Sequence, residues 1–153
     1  MPFRFEKLEN QTLPVATYSL GDDDRRHKFL KKLSKDCQKG DVVVYIVKKE
    51  DKPIGLIGLG AARVGDIPCV QIEYIIVGKE HRGIKYEELG GLKISAYLMI
   101  FCLNAAIKVK AIIGARWLIL TPDNEELERF YKKEFDFTVH DKIMYLKIPK
   151  TEQ

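Results

Sequence analysis

Cys69-Val70-Gln71-Ile72-Glu73-Tyr74-Ile75-Ile76-Val77, then Gly78-Lys79-Glu80-His81-Arg82-Gly83, then from about Leu92 the run Ile94-Ser95-Ala96-Tyr97-Leu98-Met99-Ile100-Phe101-Cys102-Leu103, decide how this chain folds. The order is strand, polar turn, buried helix. Side chains alternate along a strand, so Val70, Ile72, Tyr74 and Ile76 share one apolar face. The other face sets Gln71 and Glu73 side by side and turns apolar at Ile75 and Val77, as the border of a cleft would. A glycine-bearing turn between a strand and a helix is a phosphate-binding geometry, because the first amides of a helix point outward and carry partial positive charge.

Outward from this stretch, 153 residues with 46% hydrophobic content suffice for one core, and a single domain over residues 1–153 is expected. The formal charge of +4 is too small to argue nucleic acid on its own. Cys37, Cys69 and Cys102 are odd in number and far apart, and read as free thiols in a reducing compartment rather than a disulfide framework. No basic-then-apolar leader is visible at the N-terminus, and the longest apolar run falls short of the roughly 18 residues of a membrane span. A cytoplasmic protein without a membrane segment is the expectation.

Upstream, Pro2 to Leu8 can open a sheet, and Asp22 to Asp24 supply caps for a helix starting near Asp23. That helix would carry an apolar stripe of Phe29, Leu30, Leu33 and Cys37. Arg25 to Lys35 would coat the remainder, either as solvated surface or as a docking face for an acidic partner or RNA. Asp41 to Lys48 and Ile54 to Gly60 read as a hairpin turned at Glu50-Asp51-Lys52-Pro53. Gly55, Gly58 and Gly60 weaken a strand unless a close backbone approach, a cleft or a bulge requires them. Gly65 to Pro68 turn into the central strand.

Downstream, Arg116 to Leu120 form a buried strand, expected parallel to the central one, with the helix between them as crossover. Thr121-Pro122-Asp123-Asn124-Glu125-Glu126 starts a helix carrying Leu127, Phe130 and Tyr131. Phe135 to His140 and Lys142 to Ile148 close the chain as a strand pair turned at Asp141. The fold class is α/β with a mixed sheet of six to seven strands and about four helices. His27, His81 and His140 have no ligand spacing with one another or with cysteine, so no metal site is expected. Cys102, in mid-helix, is no nucleophile.

This order resembles the GNAT superfamily of N-acetyltransferases over nearly the whole chain. Asn124 through Tyr131, ending in Phe135-Asp136-Phe137, is similar to the family's closing motif, with Asp136 where that motif has glycine. Ile75-Ile76-Val77 followed by Arg82-Gly83 matches the start of its pyrophosphate loop, while the later glycines, Gly90 and Gly91, lie further on as though pushed by a short insertion.

The resemblance implies a splayed central parallel pair holding acetyl-CoA, with the backbone of Ile75, Ile76 and Val77 on the pantetheine arm. Arg82, Gly83, Gly90 and Gly91 would lie at the phosphates. It implies acetyl transfer to a primary amine. Glu73 would serve as base or is paired to a neighbouring cation. Tyr131 would steady the leaving thiolate or is an aromatic packing residue. Asn124 would hold the cofactor arm or cap its helix. A phenol near pKa 10 is a weaker acid than a thiol near 8.5, so hydrogen bonding rather than full proton transfer suits Tyr131. The layout is similar to stand-alone toxin members acting on aminoacyl-tRNA, and a homodimer is a family habit. The rival expectation is a GNAT-like binding module that has lost catalysis.

Overall fold

The computed structural model describes residues 3–8, 32, 35, 36 and 39–150. Its seven-stranded mixed sheet has the order β1-β2-β3-β4-β7-β9-β8, beside a two-stranded hairpin, β5-β6. The strands are β1 Phe3–Leu8, β2 Val43–Lys49, β3 Lys52–Val64, β4 Ile67–Val77, β5 Lys85–Tyr86, β6 Leu92–Lys93, β7 Trp117–Leu120, β8 Thr138–His140 and β9 Ile143–Lys147. Two α-helices have defined bounds, α1 Ile94–Ile112 and α2 Glu125–Phe135. Single 3-10 turns occupy Lys79–His81 and Glu87–Leu89. Among the described residues that is fewer helices than the about four expected. The helix expected from Asp23, with its apolar stripe and Cys37, lies outside the described residues, except that Lys32, Lys35, Asp36 and Lys39 are helical.

The chain divides into two compact units, residues 1–60 with 73–102, and residues 61–72 with 103–153. In the first, β1 and β3 flank β2 in antiparallel register. The β2–β3 turn is tighter than expected: Glu50 and Asp51 alone make it, both at positive φ, while Lys52 and Pro53 already belong to β3. Positive φ at both central residues is what a two-residue hairpin needs to match the twist of its strands. Arg4 clamps the turn through a 2.6 Å contact with Asp51 and holds that carboxyl below its usual range.

Val44, Ile46, Val47, Ile54, Leu56 and Ile57 are buried. Phe5 stacks on Phe101 at 3.9 Å and on Tyr97 at 5.0 Å, fastening β1 to α1. Of the three β3 glycines, Gly55 has a clear packing reason: a Cβ there would lie 3.0 Å from the Ile76 carbonyl oxygen and 3.1 Å from Val47.

In the second unit, β7 lies parallel to β4 through Cys69↔Trp117, Val70↔Leu118 and Gln71↔Ile119, and antiparallel to β9. Directly opposed residues share a face. Val70, Leu118 and Met144, on the even face, are buried. Trp117, Ile119 and Tyr145 fall on the other. Helix α1 is long and apolar enough, by length and composition alone, to cross a membrane. Its Ile94, Leu98, Met99, Cys102, Ala106 and Ile107 are instead buried in protein, as expected of a crossover helix. Cys69 and Cys102 are free and buried, and burial raises both thiol pKa values, which keeps them protonated.

Candidate functional site

In the first unit the candidate residues follow one another along β4 and the turn beyond it. Glu73 is exposed, and its carboxylate lies against the strand beside it, with Oε1 3.3 Å from where a Gly60 Cβ would stand. Partial desolvation of the carboxyl raises its pKa, the Asp36 carboxylate raises it further, and Lys32 pulls the other way. The neighbouring Tyr74 hydroxyl hydrogen-bonds Asp36, and its pKa is pushed up to about 12, chiefly by burial. Glu73 thus has the Asp36 carboxylate and the Lys32 ammonium in its electrostatic surroundings.

At the end of β4 the Gly78 amide donates to the Ile54 carbonyl at 2.7 Å, which fixes where the turn begins. The Arg82 Nε–H donates back to the Val77 carbonyl at 3.0 Å, so that carbonyl, expected to face pantetheine, has a partner from its own chain. Gly83, Gly90 and Gly91 have φ of 76°, 68° and 85°, with nothing within 4 Å of where a Cβ would be. The backbone there is left-handed, which costs an ordinary residue roughly 1–2 kcal/mol and glycine almost nothing.

The residues between Arg82 and the helix are not a loose insertion. Lys85 and Tyr86 pair with Lys93 and Leu92, and the Gly90 and Gly91 amides donate to the Glu87 and Tyr86 carbonyls, both at 2.9 Å. These two amides are thus engaged in closing the hairpin. Tyr86 anchors it: its ring meets Phe3 at 5.3 Å, the Lys49 ammonium lies 5.0 Å from its centroid, and its hydroxyl is 2.5 Å from His81 Nδ1. Burial lowers the His81 pKa, and with the Nε2 tautomer the tyrosine O–H donates to Nδ1.

The fit to an anionic phosphate ligand is good at Arg82–Gly83, where open backbone lies beside Lys79 and Arg82. Glu80 is held by Lys52 at 3.5 Å, and no acid occupies the first turn of α1. Fit is poorer at Gly90–Gly91, whose amides are committed.

In the second unit, β4 pairs in parallel with β7 through Gln71↔Ile119; β4 itself runs on to Val77, whose stretch from Glu73 belongs to the first unit. Asn124 caps α2, its Oδ1 accepting from the Leu127 amide at 2.8 Å; of its two readings, the cap is present. Tyr131 is buried, 4% exposed, with its ring 5.4 Å from Phe130 and 6.0 Å from Phe137. Asp136 ends the helix at φ 60°, its amide donating to the Lys132 carbonyl at 3.2 Å, which explains why a glycine would serve there.

One feature went unread in the sequence. Trp117 and Tyr145 stack at 4.7 Å and, with Val64, Ile119, His140, Asp141 and Ile143, line a recess of about 480 Å³. The signal was the odd-numbered parity of β7 and β9, invisible without the register that brings Ile119 opposite Tyr145. Among the described residues, no group of three or more His, Cys, Asp or Glu could hold a metal ion.

The fold is that of the GNAT acetyltransferases. No family model and no curated relative matches the sequence. Among solved structures, the AtaT–AtaR complex bound with acetyl-CoA is similar at TM-score 0.75 and 19% identity, over 96% of this chain and 94% of that one. AtaT complexed with acetyl-methionyl-tRNAfMet matches at TM-score 0.75 and 16% identity, over 95% and 94%. A tyrosine-to-phenylalanine mutant of KacT matches at TM-score 0.76 and 13% identity, over 97% and 96%.

Proposed function

We propose that this chain is an acetyl-CoA-dependent N-acetyltransferase acting on a primary amine. The observation that carries the reading is a β4 that pairs with β7 over only three residue pairs and then runs on into a basic, left-handed glycine turn ahead of α1. A strand freed from its neighbour offers backbone groups to an extended amide-bearing arm, and the turn offers positive field to phosphates. The likeness to AtaT, solved with acetyl-CoA, supports it.

In this reading the amine nitrogen attacks the thioester carbonyl carbon and loses its proton to Glu73, directly or through water. The C–S bond then breaks, and the Tyr131 hydroxyl steadies the departing thiolate by hydrogen bonding. A free amine near pKa 10.4 is neutral only about once in a few thousand molecules at pH 7, so a base matters. Arg82 and Gly83 hold the phosphates.

Tyr131→Phe tests this. Thiol release from acetyl-CoA should fall by about 100-fold or more, with acetyl-CoA affinity nearly intact. A proportional loss of affinity and turnover means that Tyr131 only packs against Phe130 and Phe137.

A finer reading takes aminoacyl-tRNA as acceptor. It is favoured by the likeness to AtaT complexed with acetyl-methionyl-tRNAfMet. It predicts growth arrest on expression, relieved by Tyr131→Phe; unaffected growth counts against it.

A further inference from the structure

We infer that Tyr86 and His81 are positioning residues for phosphate binding: the hydrogen bond between them spans the Arg82–Gly83 turn and holds it in the shape that receives the phosphates of acetyl-CoA. The inference rests on the acetyltransferase reading and names what keeps its phosphate turn in place.

The two residues are five apart and bracket the turn. On one side, His81 closes the 3-10 turn Lys79–His81. The start of that turn is fixed by the Gly78 amide on the Ile54 carbonyl at 2.7 Å, and the His81 amide donates to the Gly78 carbonyl at 2.9 Å. On the other side, Tyr86 belongs to β5 and is tied to β6 by pairing with Leu92. Its ring stands edge-on to Phe3, 5.3 Å between centroids, and the Lys49 ammonium lies 5.0 Å from its centroid and 5.6 Å from that of Phe3. Phe3 and Lys49 are opposite each other in β1 and β2, and Phe3 is buried, so Tyr86 is seated against the main sheet. The 2.5 Å contact between the Tyr86 hydroxyl and His81 Nδ1 then joins two fixed ends.

Between them Arg82, Gly83, Ile84 and Lys85 are all exposed. Packing along the segment therefore does little to set its conformation, which depends on its ends and on the Arg82 Nε–H bond to the Val77 carbonyl. Gly83 is left-handed with open space where a Cβ would be, a conformation that a glycine leaves as easily as it enters. A turn that must be ordered when its ligand arrives binds more weakly than one already ordered, so a bond that closes the segment adds affinity without touching the ligand.

Tyr86→Phe removes the hydroxyl and keeps the ring on Phe3 and Lys49. In isothermal titration it should weaken acetyl-CoA by about three- to tenfold, the span of one neutral hydrogen bond. In transfer assays KM for acetyl-CoA should rise with kcat nearly constant. S-acetylpantetheine carries the thioester arm without phosphates, and as donor it should give the same kcat/KM with parent and variant. His81→Leu should match Tyr86→Phe. His81→Asn, whose carbonyl oxygen stands in for Nδ1 as acceptor, should restore most of the affinity. With no ligand present, trypsin should cut after Arg82 faster in Tyr86→Phe than in the parent, by a similar factor, because the segment opens more often.

A Tyr86→Phe variant that binds acetyl-CoA as the parent does, an equal loss of kcat/KM with acetyl-CoA and S-acetylpantetheine, or unchanged trypsin cleavage after Arg82 would each overturn the assignment. Failure of the acetyltransferase reading appears separately, as a parent protein that acetyl-CoA does not stabilise.

Discussion

A carboxylate asked to take a proton from an ammonium does so more readily as its own pKa climbs, and Glu73 is moved in that direction by partial desolvation and by Asp36. The acid limb of the kcat/KM profile should therefore lie above the value of an ordinary glutamate. Asp36→Asn should move it down, Lys32→Ala should move it up, and Glu73→Gln should abolish it along with most activity. An unchanged limb in Glu73→Gln would remove Glu73 from the reaction. The same raised pKa means that the native state binds more protons than the unfolded chain from about pH 4.5 up to the folded value. Glu73 thus subtracts stability as pH rises through that window. Gly55→Ala should cost about 1–3 kcal/mol in urea unfolding, because a methyl 3.0 Å from the Ile76 carbonyl meets backbone that cannot swing aside. A neutral result would mean that β3 can part from β4 there.

At the scale of elements, the strand β4 and the helix α1 were legible because alternation and an apolar run are local patterns, readable one residue against the next. The turn joining them was only half legible. The spacing of Arg82–Gly83 from Val77 and the later position of Gly90 and Gly91 could both be read, but not the local structure of either pair. What the sequence could not show is that the Gly90 and Gly91 amides close a hairpin, since that hairpin is pinned by Tyr86 against Phe3, residues far apart in the chain. The burial of His81 adds a pH dependence with a defined sign. The His81 pKa is lowered on folding, so the unfolded chain binds more protons between the folded value and about 6.5, and stability falls as pH drops through that window. His81→Gln should flatten the dependence of melting temperature on pH there; an unaltered slope would show that the histidine does not carry it. The α2 start was half legible: Asp123 to Glu126 have the spacing of a capping box, but the cap is Asn124 and the helix begins at Glu125, past Pro122. Asn124→Ala should cost about 1 kcal/mol by removing the acceptor of the Leu127 amide, read as a shift in chemical denaturation.

For the whole molecule, the acetyltransferase and the binding-module readings differ in one equilibrium. A ligand that binds only the folded state stabilises it by RT ln(1 + [L]/Kd), about 2.7 kcal/mol at a hundredfold excess over Kd. For a chain of this length each kcal/mol moves the melting temperature by roughly 2–4 °C, so saturating acetyl-CoA should raise it by about 5–10 °C. In the acetyltransferase reading charge holds the phosphates, so the shift should shrink as salt rises. It should also fall in Arg82→Ala, which removes a cation and frees the Val77 carbonyl together. Gly90→Ala and Gly91→Ala discriminate further. Their amides already serve the hairpin, so these variants should lower the melting temperature of the free protein through left-handed strain while leaving the acetyl-CoA increment nearly whole. Loss of the increment in the glycine variants but not in Arg82→Ala would move the phosphates from the Arg82–Gly83 turn to the hairpin tip. No increment in any variant or in the parent protein at millimolar acetyl-CoA would leave a GNAT-fold protein that binds something else.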